Sequence, residues 1–365
     1  MSKFFKTIMA FAFLSVLPFS ASAEVTFVSW GGAYTESQIK AYGDTYSDPD
    51  SIIFEPYNGG LGEVRAQVES GNVAWDIVDV LPSEAIIGCD EGLFEDLSDV
   101  EWSPAPDGTS MEDDLAASGV TIMPPCCAPQ IFWTYVAFYD PDNFPGNWKG
   151  AKPTGIADFF DVQNFPGKRG VHTWANAIVE MALVADGVGV NDVYDVLETS
   201  EGVDRAFAKL DTIKDSVVWW EAGAQPPQLL ADGEVVMTTA YNGRIFNAVA
   251  AEGKPFTIVW DGQVYDIDLW AIPKGAPNKD LAMEFLVFST ETEQLAAQAS
   301  WISYGPVRQS SAALVSSYHN QPDLKMAPHM PTDPKNFTNA IQNNFAWWAD
   351  NQDELNERFN AWLAN

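Results

Sequence analysis

The sequence predicts an α/β fold built as two lobes. Short β-branched runs alternate with helical runs from the first strand onward, which argues for a parallel or mostly parallel sheet. The chain, at 365 residues, is too long for one small core. No G-x-G-x-x-G phosphate loop follows the first strand, which sets a dinucleotide-binding fold aside.

The chain opens MSKFFKTIMAFAFLSVLPFSASA. Lys3 and Lys6 make a basic start, residues 8–19 are apolar, and Ala21-Ser22-Ala23 reads as a cleavage site. Residues 1–23 are therefore expected to be a secretory signal peptide, cleaved after Ala23 and too short to span a membrane. No Cys follows that site, so no lipid anchor is expected. The mature chain is expected in a bacterial periplasm.

Residues 24–30 alternate as a first strand. Gly31-Gly32 turns into a helix over 35–46, with Thr35 as its cap. A second strand at 52–57 meets the turn Asn58-Gly59-Gly60 and a helix over 61–70. A third strand spans 75–80, and Pro82-Ser83-Glu84 opens a short helix toward Cys89. Residues 96–118 read as acidic and irregular, 120–125 as a short apolar run, and 130–138 as a long apolar strand. A Pro/Gly/Asn-rich loop covers 141–153. A short helix at 155–160 and a strand at 170–173 follow. Helices are expected over 175–185, 191–197 and 200–213, the last capped by Ser200. A strand at 216–219 leads to a helical turn, the turn Asp232-Gly233-Glu234 and an apolar strand over 235–240. Strands at 255–260 and 268–272, a helix at 278–299 capped by Asn278, a Pro-rich loop and an amphipathic helix at 339–363 complete the chain.

Residues 217–244 stand out chemically. Trp219, Trp220, Glu221 and Gln225 lie at one end of a helix–strand unit, and Tyr241, Asn242 and Arg244 at the other. Strand ends of α/β folds are where ligands bind. A buried Trp pair and an ordinary turn would read the same way. The 14 Trp residues suit a pocket with stacking walls as well as a core. A formal net charge of −32 disfavours nucleic acid and anionic membranes, and serves solubility equally well. Three His residues argue against a His-rich metal site. No cofactor or metal is expected. Of Cys89, Cys126 and Cys127, two should pair in an oxidising compartment. A bond between adjacent cysteines strains the backbone, so Cys89 is expected to pair with Cys126 or Cys127.

Several pieces fall in a familiar order. They are Trp30 and Tyr34, the run W-D-I-V with its following Pro-Ser at 75–83, and the run from Phe160-Asp161 through F-P-G-K-R-G to Gly170. The turn Asp232-Gly233-Glu234-Val235 and the run Asp268-Leu269-Trp270-Ala271-Ile272-Pro273 come next, then the helix after Asn278. In this order the chain resembles bacterial extracellular solute-binding proteins of the spermidine/putrescine-binding type. The resemblance implies a type II periplasmic binding fold. Two α/β lobes would be joined by two crossover strands near 130–137 and 266–273, with the solute in the interlobe cleft. Lobe one would be 24–132 and 271–320, and lobe two 133–270 and 321–365 with the C-terminal helix. Closure over the solute would be read by an inner-membrane ABC permease.

The resemblance also implies a site. Asp268 takes the position of the family's amine-binding carboxylate, and Tyr241 stands where the family usually has Trp. Trp30 and Tyr34 would form the lobe-one wall, Ser83 a hydrogen bond, and Trp220 and Glu221 the lobe-two side. A family Glu aligns with Ala177, and Glu180, one helical turn on, is its candidate replacement. Arg244 would pair with a ligand carboxylate or with a protein carboxylate such as Glu221. The family's Cys position falls on Cys126, so the expected disulfide is Cys89–Cys126 with Cys127 free. A polyamine such as putrescine or spermidine is the ligand implied. The alternative is a zwitterion such as 4-aminobutyrate or another amino acid, its amine on Asp268 and its acid on Arg244. The family is usually monomeric and not enzymatic. A secreted two-carboxylate hydrolase is the rival class, but no G-x-S-x-G or H-E-x-x-H supports it, and no Tyr-Tyr pair supports a ferric-ion receptor.

Overall fold

Strand β1 (Val25–Ser29) lies between β2 (Ile52–Pro56) and β3 (Ile77–Val80), and all three run parallel. The computed structural model describes residues 24–120, 124–145 and 150–364. The expected signal peptide lies outside them, as do parts of the runs at 120–125 and 141–153. β4 (Cys127–Tyr139), β5 (Arg169–His172), β6 (Val217–Trp220), β7 (Met237–Tyr241) and β8 (Thr257–Ala271) complete the main sheet. Its order is β2-β1-β3-β8-β4-β7-β5-β6.

β4 and β8 pair antiparallel from Cys127 opposite Ala271 to Tyr139 opposite Thr257. The end of β8 also pairs with β3, and the end of β4 with β7. These two strands therefore cross from one lobe into the other, as a two-lobe periplasmic binding fold requires. All four residues of β3 are buried, and Ala128 and Val136 of β4 are fully covered, which matches their near-continuous apolar sequence. Two irregularities break the β4–β8 ladder. One sits at Gln130, between Pro129 and Ile131, and the other beside Val136. The first redirects a polar side chain into the junction between the lobes.

Several sequence expectations change in detail. The strands expected at 255–260 and 268–272 are one strand, β8. The chain between them bulges at Gly262, whose φ of +78 suits glycine. A Cβ there would lie 2.3 Å from Ile156, so the close approach also excludes a side chain. The helix expected at 278–299 is two, Lys279–Ser289 and Thr292–Trp301. Asn278 stands at the N-cap position of the first, as expected, but makes no side-chain capping bond; its amide donates to Asp76 and to the Glu24 carbonyl. Thr199, not Ser200, caps the helix Ser200–Asp211 by accepting from the Gly202 N–H. The segment read as irregular holds the helix Met111–Ala117, capped by Ser110. The C-terminal helix starts at Phe345, later than expected.

Two motif residues turn out to organise backbone. Asp76 of W-D-I-V is buried and accepts from the Thr26 and Asn278 N–H groups. Arg169 of F-P-G-K-R-G is fully buried and donates to the carbonyls of Phe159, Phe165 and Gly167. The C-terminal helix Phe345–Ala364 packs Trp348, Leu355 and Phe359 into the core that holds β5 and β6. Among the described residues no helix is long and apolar enough to cross a membrane.

Cys89 and Cys126 stand in bonding geometry with Cα atoms 6.0 Å apart, and Cys127 is free and buried. Non-reducing peptide mapping is expected to link Cys89 to Cys126 and to return Cys127 as a thiol; a Cys89–Cys127 peptide would refute the pairing. Arg308 is fully buried and donates to Asp114 at 2.7 Å and to the Ser103 and Thr290 carbonyls. Arg308→Ala leaves that carboxylate buried without its partner. It is expected to cost about 3–5 kcal/mol in urea denaturation, and a loss under about 1 kcal/mol, the range of an exposed pair, would contradict this reading.

Candidate functional site

The strand ends converge on a small, partly open cavity of about 50 Å³. From the first lobe, Trp30 follows β1, Tyr34 rises on the helix after Gly31-Gly32, Tyr57 and Asn58 follow β2, and Leu81 follows β3. From the second, His172 and Trp174 end β5, Glu221 and Gly223 follow β6, and Tyr241 and Arg244 end β7. Trp133 and Asp268 come from the crossing strands, and Tyr304 from the C-terminal part. The geometry follows from the sheet. Parallel strands all end on the same edge, so the loops after them share one opening.

The acidic side of the cavity is a buried pair. Asp268 is 5% exposed and Asp79 is fully buried. Asp79 accepts from Gln130 Nε2 at 2.6 Å and Gln38 Nε2 at 3.0 Å, and from the Tyr34 hydroxyl at 3.5 Å. Gln130 reaches it because of the bulge in β4. Burial pushes Asp79 up to about 7, against the hydrogen bonds it accepts. Burial, then the neighbouring Asp79 charge, holds Asp268 well above the usual carboxylate range. Among the described residues no Lys, Arg or His forms an ion pair with either carboxylate. A pair of this kind attracts one cation and resists holding two negative charges without it.

Arg244 faces the other side. It is 6% exposed, and its guanidinium lies 5.8 Å from the Tyr34 ring centre. Nη1 donates to the Gly31 carbonyl and Nη2 to the Trp30 carbonyl at 2.9 Å, so it ties the second lobe to the first. Among the described residues its Nε has no hydrogen-bond acceptor. His172 steadies the wall between. Its Nδ1 accepts from the Trp174 N–H at 2.9 Å, so the proton sits on Nε2, which donates to the Glu221 carbonyl at 3.0 Å. Burial lowers its pKa to about 3, so it remains a neutral strut.

Of the residues expected from sequence, Trp30, Tyr34, Glu221, Tyr241, Arg244 and Asp268 line this cavity. The structure sets the other three apart. Ser83 lines a larger neighbouring cleft of about 440 Å³, against the C-terminal helix. Glu180 is fully buried and accepts from Tyr194 Oη at 2.9 Å and Trp348 Nε1 at 2.7 Å, which anchors that helix. Trp220 lies beneath the cavity, edge-on to His172 at 4.3 Å. Its flat β-strand neighbours leave it 1% exposed, which is why it packs as core. Ala177, aligned with the family Glu, begins the helix Ile178–Ala185 with a φ of 70. Sequence reading missed Tyr57, Asn58, Leu81, Trp133, His172, Trp174, Gly223 and Tyr304. Tyr57-Asn58 and His172-x-Trp174 each follow a strand, and the strand-end rule alone would have found them. Trp133 lies inside β4 and gives no such signal.

The comparisons agree with this architecture. The sequence profile for bacterial extracellular solute-binding proteins matches residues 39–332. A gamma-aminobutyric acid-binding protein of Pseudomonas aeruginosa is 41% identical over 358 residues, spanning 95% of this chain and 94% of that protein. The solved Atu4243-GABA receptor superposes with a TM-score of 0.74 at 30% identity, covering 93% of this chain and 97% of that one. The PBP AgtB of A. tumefaciens R10, solved with agropinic acid, gives 0.78 at 27% identity, covering 94% and 99%.

Asp79 and Glu180 both sit, through burial, at about 7, against ordinary values of 3.8 and 4.5. A raised carboxyl pKa means that the folded chain holds protons the unfolded chain has lost. The ligand-free protein is therefore expected to lose stability as pH rises from about 4 to about 7. Denaturation curves across that range test this, and Asp79→Asn should flatten the decline; an unchanged slope in the variant would count against the buried acid.

Proposed function

As the chain belongs to the bacterial extracellular solute-binding proteins and is the substrate-binding protein of an ABC importer, we propose that its solute is 4-aminobutyrate or a closely similar ω-amino acid. One observation carries this. Asp268, beside the buried Asp79, and the guanidinium of Arg244 line the same small cavity, and among the described residues the two acids have no cation and Nε no acceptor. The ammonium goes to Asp268, backed by Asp79, and the carboxylate to Arg244. If the acid pair keeps one proton, its single charge matches the ammonium while Arg244 matches the carboxylate. The helix Asn242–Ala250 begins at the cavity, and its dipole adds to the attraction for an anion there.

A polyamine fits less well. Its second ammonium would lie against Arg244 and leave the Nε donor unmatched. A cavity of about 50 Å³ disfavours the longer spermidine, but putrescine is as short as 4-aminobutyrate, so charge and not size separates those two. Trp30, Tyr34, Tyr241 and Glu221 complete the contact set we propose, with Trp133 and Tyr304. Ser83, Glu180 and Trp220 support the walls from outside. The named relatives that bind GABA favour the zwitterion over the polyamine. We propose lobe boundaries at 24–132 and 271–320 for the first and 133–270 and 321–365 for the second. The mature chain acts as a periplasmic monomer, carries the Cys89–Cys126 disulfide, and closes on its solute for delivery to the permease.

Titration calorimetry and thermal shift test the ligand. At 100 times its dissociation constant, 4-aminobutyrate should stabilise by about 2.7 kcal/mol. Arg244→Ala and Asp268→Asn should each cost about 2–5 kcal/mol of affinity. Putrescine and spermidine should leave the melting curve in place. A shift by putrescine that survives Arg244→Ala, with 4-aminobutyrate silent, would restore the polyamine reading.

A further inference from the structure

We propose that Gly223 is a specificity-determining residue: its missing side chain leaves open the Nε–Nη2 edge of Arg244, where a ligand carboxylate docks, while the two Nη groups latch the lobes shut. This rests on the zwitterion reading above. Arg244 has five N–H donors. Two are engaged by the main-chain carbonyls of Gly31 and Trp30, on the opposite lobe. The Nε donor is buried and lacks an acceptor. An Nε–H left so in a buried site is costly unless something arrives to accept from it.

Gly223 borders that edge, with the Tyr241 ring beside it. A Cβ built on Gly223 would lie 3.3 Å from Nε and 3.6 Å from Nη2. A carboxylate oxygen accepts from such donors nearer in, at about 2.7–2.9 Å, so a methyl group on that side of the guanidinium crowds the approach. A methyl group at Gly223 would therefore hinder the carboxylate while standing no closer than van der Waals contact to the latching Nη2. Its backbone φ lies outside the left-handed region, so alanine is conformationally allowed there. Gly32 does the complementary job. Its φ is +56, and a Cβ would sit 2.9 Å from Nη1, on the latching side of the guanidinium. Selectivity and closure thus meet on one side chain but depend on two different glycines.

The test compares 4-aminobutyrate with its neutral amide, 4-aminobutanamide, by calorimetry. Gly223→Ala should lose roughly 10- to 100-fold affinity for the acid, the range of charge-assisted hydrogen bonds. It should weaken the isosteric amide by a smaller factor, because the amide loses only a neutral hydrogen bond, so that discrimination between the two shrinks. Its ligand-free melting temperature should match wild type. Gly32→Ala should weaken both ligands by the same factor, because it loosens closure for either. A Gly223→Ala protein that keeps the wild-type acid-to-amide ratio overturns the proposal. Wild-type protein that ignores 4-aminobutyrate altogether overturns the ligand reading beneath it instead.

Discussion

The antiparallel pairing of β4 with β8 is the constraint on which the other parts depend. Two strands of thirteen and fifteen residues run the whole distance between the lobes. β8 bonds to the first lobe's β3 at its end, β4 bonds to the second lobe's β7 at its end, and the two strands bond to each other along their length. Their register decides where the site lies. Ile131 pairs with Asp268, and the extra residue at Gln130 turns its amide onto Asp79. A slip of one residue would send Asp268 to the other face. The buried core on either side holds that register in place.

The charges of the site are arranged to be incomplete. Asp79 accepts from the amides of Gln38 and Gln130, and among the described residues neither it nor Asp268 has an ion-pair partner. Elsewhere the chain completes its buried charges, as Arg308 does with Asp114 and Arg169 with three carbonyls. The contrast separates structural charges from those waiting for a solute. Leaving a carboxylate and an Nε donor unmatched costs stability in the empty protein. The solute that matches both recovers it, and closing the cleft around that solute strengthens each contact by excluding water.

Much of this was legible from local pattern, and the failures have physical causes. Trp30 and Tyr241 line the cavity because the parallel strands of a lobe share one open edge, and Asp268 lines it from the antiparallel crossing strand β8. Trp220 was misplaced because a Trp pair on a strand points to both faces, and only packing decides which ring meets the cavity. Trp219 faces the C-terminal helix, while Trp220 sits under His172. Glu180 carries the chemistry expected of a ligand contact, yet Tyr194 and Trp348, from distant parts of the chain, claim it. Ser83 fell two residues beyond the wall, since Leu81 takes the position at the cavity.

By itself the sequence determined the α/β alternation, the acidic surface, the export signal expected at its start and the strand-end residues that furnish the chemistry. These are local properties, written in periodicity, composition and short motifs. Only the tertiary structure decided that Arg244 turns its Nη groups to one lobe and its Nε to the cavity. It alone brought Asp79 beside Asp268 and put bare glycines against the guanidinium. Apart from Gly223, which lies on the same lobe as Arg244, those facts depend on residues more than a hundred positions apart meeting within a few ångströms, and no local pattern encodes such a meeting.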